Sequence, residues 1–143
     1  MSSTADAAEG RRTPAAKLAL SPGLVVQELG WDEDCDEDLR IAVEAATGAS
    51  LVDEDYDEVV DAVLLWWRED EGDLADVLVD ALATLASGGV IWLLTPKPGR
   101  PGHVEPSDIG EAALTAGLSS TSSIAAAPDW SGTRLVAPKS ARR

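Results

Sequence analysis

The sequence predicts an α/β fold, a single open and mostly parallel sheet with helices on both faces. Three observations carry that prediction. Short apolar runs alternate along the chain with amphipathic helical patterns, the order that builds parallel sheets through crossover helices. The run "VIWLLT" (90–95) is apolar at every position but its last, as a central parallel strand buried between two helical layers must be. Near the end, "SSIAAA" and "TRLVAPK" flank "PDWSG", which reads as a turn closing a β-hairpin.

Each element follows in order. Residues 1–13 are small and polar and read as a disordered tail, and 140–143 as a flexible one, leaving one domain over 14–139. "PAAKLAL" suggests a short helix stopped by Ser21-Pro22-Gly23, and "LVVQELG" (24–30) a first strand. A helix follows over 36–48, with Leu39, Val43 and Ala46 at helical spacing, acids in its first turn and Gly48 at its end. "SLVDED" is a second strand and "EVVDAVLLWW" contains a third. From 73 to 86, Leu74, Val77, Leu78, Ala81, Leu82 and Leu85 make an apolar stripe opposite Asp73, Asp76 and Asp80; Gly88-Gly89 ends that helix. "PSDIGEAALTAG" (106–117) is a third, with Pro at its start and Gly at its end. Strands near 24–29, 50–53, 60–67, 90–95, 121–127 and 132–137 then form one six-stranded, three-layer sheet. Right-handed crossovers order it 2-1-3-4-6-5, with only the last strand antiparallel.

Charge narrows the function. Of 26 acids, 20 lie between Glu28 and Asp80 against only Arg40 and Arg68, a local net of −18 within a total of −15. A phosphate polymer is repelled by such a surface, so no nucleic-acid partner is expected. No run approaches the roughly 18 apolar residues of a membrane span, and "MSSTADAAEGRRTP" lacks the apolar stretch of a signal peptide. A single cysteine allows no internal disulfide, and a reducing cytoplasm is the expected setting.

The chemistry-bearing groups are few. A nucleotide cofactor needs glycines after the first strand so that backbone can approach it closely. Here that turn reads "ELGWDEDCDED", with Gly30 followed by bulky Trp31 and a wall of carboxylates; no cofactor is expected. Asp32, Asp34 and Asp36 start like a calcium loop, but Glu37 replaces the required glycine and Val43 the closing glutamate. No metal is expected either. Cys35 lies among acids that raise its pKa, which makes it a poor nucleophile. At the carboxyl end of the central strand, where open α/β sheets bind ligands, Thr95-Pro96-Lys97 opens a loop carrying Lys97, Arg100 and His103. These three are a candidate ligand or partner loop, or a counter-charge to the acidic rim. Trp66 and Trp67 point to opposite faces of their strand: either helices cover both, or Trp67 is exposed beside Arg68. With Trp31, Asp32, Asp34 and Asp36, Trp67 and Arg68 make a candidate interaction surface.

The order "KLALSPG", a strand, "DAVLLWW", an amphipathic helix, "GGVIWLLTPK", "AALTAGL" and "WSGTRLV" resembles the actinobacterial domain-of-unknown-function family three thousand and fifty-two. The likeness runs from about residue 14 to 139 and rests most on Gly88-Gly89 before Trp92, Thr95-Pro96-Lys97 and Trp130-Ser131-Gly132. It implies a trimmed, methyltransferase-like Rossmann scaffold and a cytoplasmic setting, and no catalytic residues. The function expected is a non-catalytic binding or regulatory module presenting an acidic surface to a protein partner. The alternative is a divergent enzyme on a methyltransferase-like scaffold, acting near the loop 95–103.

Overall fold

The computed structural model describes residues 18–138. Both tails lie outside those residues, as does "PAAKLAL" apart from Leu18, Ala19 and Leu20. Strand β1 (Val26–Leu29) leads to helix α1 (Glu37–Thr47), then β2 (Val60–Trp66), α2 (Leu74–Leu82), β3 (Leu85–Pro96), α3 (Pro106–Ala116), β4 (Ser119–Ala127) and β5 (Trp130–Val136). A single 3-10 turn, Glu69–Glu71, joins β2 to α2.

The five strands form one mixed sheet ordered β1-β2-β3-β5-β4. β1, β2 and β3 are parallel, whereas β5 is antiparallel to both of its neighbours. Six strands were expected. The one at 50–53 is reduced to a single parallel bridge, Gln27 to Val52, with hydrogen bonds of 2.8 and 3.0 Å. Only Leu51 and Val52 can be buried there before the acidic run 53–58, and repelling carboxylates cannot extend a ladder.

Alternation along the strands sorts the core into two layers. Val63, Leu65, Trp67, Ile91, Leu93 and Leu135 face α2 and α3, where Leu74, Leu78, Ala81, Ile109 and Ala113 meet them. On the opposite face Val26, Ala62, Leu64, Trp66, Trp92 and Leu94 pack against Leu39 and Val43 of α1. Trp66 and Trp130 meet edge to face with centroids 4.9 Å apart. Gly132 makes room for this layer: a Cβ there would come within 3.3 Å of Trp92.

Two boundaries differ from expectation. α2 stops at Leu82, and Leu85 already pairs with Val60 across the sheet. Gly88 and Gly89 therefore lie inside β3 rather than ending the helix, next to an irregularity of register between Val60 and Ala62. Gly88 has φ of +75, and a Cβ on Gly89 would press on Leu85, so the glycines permit the bend that lets β3 start early. The hairpin turn is also tighter than "PDWSG": β5 begins at Trp130, whose side chain is buried.

Candidate functional site

The exits of β1, β2 and β3 share one edge of the sheet. Gly30 follows β1 with φ of +79, and any Cβ there would strike the carbonyl of Trp66. The glycine thus serves the close approach of β1 to β2, and backbone rather than ligand occupies the space it provides.

Arg68, the second residue after β2, closes this edge. It is 8% exposed. Its Nε and Nη2 donate to the two oxygens of Asp34 at 3.1 and 2.5 Å, a bidentate pair. Nη1 donates to the Gly30 carbonyl at 3.0 Å and to Glu71 at 3.2 Å. The guanidinium lies 5.2 Å from the centroid of the Trp130 ring, close enough for cation–π attraction, and Trp130 Nε1 donates to the Asp34 carbonyl at 3.3 Å. Gly102 lets the loop after β3 lie against the stem of Arg68, where a Cβ would come within 3.0 Å. The hydrogen bond from Arg68 holds Asp34 below its ordinary pKa. Burial pulls the Arg68 guanidinium down, but Asp34 and Glu71 more than offset it and leave it raised.

Cys35 adjoins this clamp, its Sγ 3.4 Å from Arg68 Nη2 and 3.2 Å from the Asp32 amide. Its pKa is pushed up to about 11, by burial first. The surrounding acids contribute little, which corrects the reason expected from sequence. The thiol stays protonated and is a poor nucleophile.

A second buried network lies on the α1 face. Glu28, 8% exposed, accepts from Arg40 at 2.6 and 2.8 Å and from Trp66 Nε1 at 2.9 Å. These bonds raise the pKa of Arg40, whose guanidinium also lies 5.8 Å from the Trp31 ring centroid. Sequence reasoning missed Glu28; its only signal was a carboxylate two residues after Val26, on the same side of the strand as that apolar residue.

The other candidate residues separate. Trp31 is 52% exposed beside exposed Asp32. Asp36 caps α1 by accepting from the Leu39 amide at 2.9 Å. Trp67 is 5% exposed and belongs to the core under α2, so helices cover both tryptophans of the pair and Trp67 offers no exposed surface. The loop residues do not converge. Arg100 pairs with Asp129 on the hairpin turn at 3.2 Å, so its counter-charge is there rather than in the acidic run 53–58. His103 turns back to the Pro96 carbonyl, with Nδ1 at 2.9 Å. Lys97 is partly buried, and its amide donates to the Asp129 carbonyl at 3.0 Å.

Two open clefts flank α2 on the face opposite α1. One, of about 620 Å³, lies between α2 and α3, with Glu69, Asp73, Asp108 and Glu111 among its lining. The other, of about 770 Å³, lies between α2 and the loop after Val52. Neither has a basic residue in its lining. Among the described residues, no group of three or more His, Cys, Asp or Glu could hold a metal, and no helix is long and apolar enough to cross a membrane.

Solved structures of similar fold include several methyltransferases. An SAM dependent methyltransferase from Aquifex aeolicus superposes with a TM-score of 0.58 at 12% identity, covering 86% of this chain and 88% of that one. The S-adenosylmethionine dependent methyltransferase of Mesorhizobium loti gives 0.56 at 14%, covering 86% and 96%. At such identities the likeness is one of fold. Much nearer in sequence are the uncharacterized proteins Rv2239c of Mycobacterium tuberculosis and Mb2263c of Mycobacterium bovis, each 55% identical over 138 residues, which is 96% of this chain and 87% of theirs. The family model described as "Protein of unknown function (DUF3052)" matches residues 15–139, and the chain belongs to that family.

Proposed function

We propose that this protein is a non-catalytic binding or regulatory module of the cytoplasm that engages a basic protein partner through its acidic surface. The observation that carries this reading is the closure of the strand ends by Arg68. Where an open α/β sheet leaves room for a ligand, this chain places a guanidinium bonded to Asp34, Glu71 and Gly30. Trp31 and Asp32 stand exposed beside the clamp, an aromatic anchor within a negative field suited to a cationic partner surface.

Capture from native lysate with wild type and with Trp31→Ala/Asp32→Lys, followed by mass spectrometry, tests the reading. A protein retained by wild type at low salt and lost with the variant is the expected result; identical recoveries overturn it. The methyltransferase-like fold favours a second reading, a divergent enzyme acting near the loop 95–103. That reading predicts micromolar binding of S-adenosylmethionine by calorimetry, abolished by Lys97→Glu with Arg100→Glu. The binding-module reading predicts no heat with either protein.

A further inference from the structure

The sheet face under α2 and α3 is covered unevenly. α2 packs against β3 and α3, but β1 is an edge strand of the sheet, and on its outer side the loop after Val52 replaces a further strand. Between that loop and α2 lies the cleft of about 770 Å³, within the range of small-molecule sites. Partly buried Leu29 and Val77 give it apolar walls and Tyr56 adds an aromatic one, with the buried Leu65 and Trp67 behind them. A buried side chain fixes its width. Gln27, 3% exposed, donates from Nε2 to the carbonyls of Asp53 and Tyr56 at 3.0 and 3.1 Å and accepts from Thr84 Oγ1 at 2.8 Å. It thereby ties the loop to the turn after α2, and the cleft is pre-formed rather than opened by a ligand.

The charge of the cleft selects what can enter. Its acids are Glu54, Glu71 and Asp80. Glu71 is neutralised by Arg68. The exposed carboxylates of Glu54 and Asp80 make no ion pair among the described residues. An anion is repelled from this lining, and a fully polar cation gains nothing from the apolar walls.

We infer that this cleft binds a free organic cation, an ammonium carried on an apolar body about the size of one aromatic ring. The body displaces water from Leu29, Tyr56 and Val77, which are partly exposed, while the ammonium stays at the rim between Glu54 and Asp80, still partly hydrated. The inference does not depend on the protein-partner reading, and lysate capture leaves it unaffected.

The test uses the isotope-labelled full-length chain, titrated with 2-phenylethylamine and with 2-phenylethanol, its neutral isostere, while backbone amide shifts are followed. Two carboxylates at the rim of a site of intermediate dielectric should give the amine a preference of about tenfold or more. Shifts should centre on Leu29, Gly30, Tyr56 and Val77, and the preference should shrink as salt is raised. Glu54→Gln with Asp80→Asn should abolish it while leaving the rest of the spectrum in place, because both side chains are exposed. Equal binding of amine and alcohol, shifts centred elsewhere, or a preference that survives in the double variant would each overturn the assignment.

Discussion

At the scale of single residues, the strand-end edge is governed by one cation in a largely anionic region. Arg68 is buried with both charged partners beside it, so its loss would leave Asp34 and Glu71 repelling one another. Asp34 is the more accessible partner, with its side chain 56% exposed. Its pKa lies below the ordinary 3.8 because Arg68 hydrogen-bonds to the charged form. The sign of the linkage follows: a depressed folded pKa contributes stability that is fully present above the unfolded value and is lost as pH falls through the folded one. Asp34→Asn should therefore cost up to about 1 kcal/mol at pH 7, solvent screening keeping the figure low. Urea unfolding at a series of pH values checks this. The gap between wild type and variant should close once pH falls below the ordinary carboxylate range, and a gap independent of pH would show that Asp34 acts through something other than its charge.

At the scale of elements, Gly30 illustrates how sequence can single out a position without revealing what it is for. The sequence shows a single glycine, followed by Trp31 and acids, where a cofactor turn would need several; its φ of +79 and the Trp66 carbonyl lying where a Cβ would stand make it the joint that lets β1 leave the sheet beside β2. Gly30→Ala combines a left-handed conformation with a backbone clash and should destabilise by about 3 kcal/mol or more, measured by chemical denaturation; a change below about 1 kcal/mol would mean the junction can move aside. β2 and the core of β3 were legible because their apolar runs are long and bounded. The end of α2 was not, since Leu82 and Leu85 continue a helical period while Leu85 is already recruited by Val60, a tertiary preference that no local pattern records. The same limit hid the site's second network. Glu28 and Arg40 are twelve residues apart on a strand and a helix, and only the packing of α1 on the sheet makes them partners. Arg68 was legible as a strand-end residue, but its direction was not, because that depends on Asp34 and Trp130 arriving from opposite ends of the chain.

At the scale of the whole molecule, charge and topology are coupled. The acidic stretch from Glu28 to Asp80 builds β1, α1, β2 and most of α2, so β1 and its acidic flanks occupy one side of the sheet, while β4, without a charged residue, forms the other edge. The two bases in that stretch are each held by two acids, Arg40 by Glu28 and Glu37, and Arg68 by Asp34 and Glu71. Neither can serve the run 53–58, where five of six residues are acids. Salt acts on these two populations differently. The Debye length falls from about 30 Å at 0.01 M to about 10 Å at 0.1 M, which screens repulsion among the exposed carboxylates strongly and the partly buried Arg40 and Arg68 pairs much less. Repulsion is therefore relieved more than attraction is weakened, and the melting temperature should rise by a few degrees between 10 and 150 mM sodium chloride, on the scale of about 4 °C per kcal/mol for a domain of this size. Replacing Asp53, Asp55 and Asp57 by Asn should raise the melting temperature at low salt and flatten its dependence on salt. A midpoint that is flat or falling in the wild type would mean that the paired arginines dominate and that the acidic side stores little repulsion.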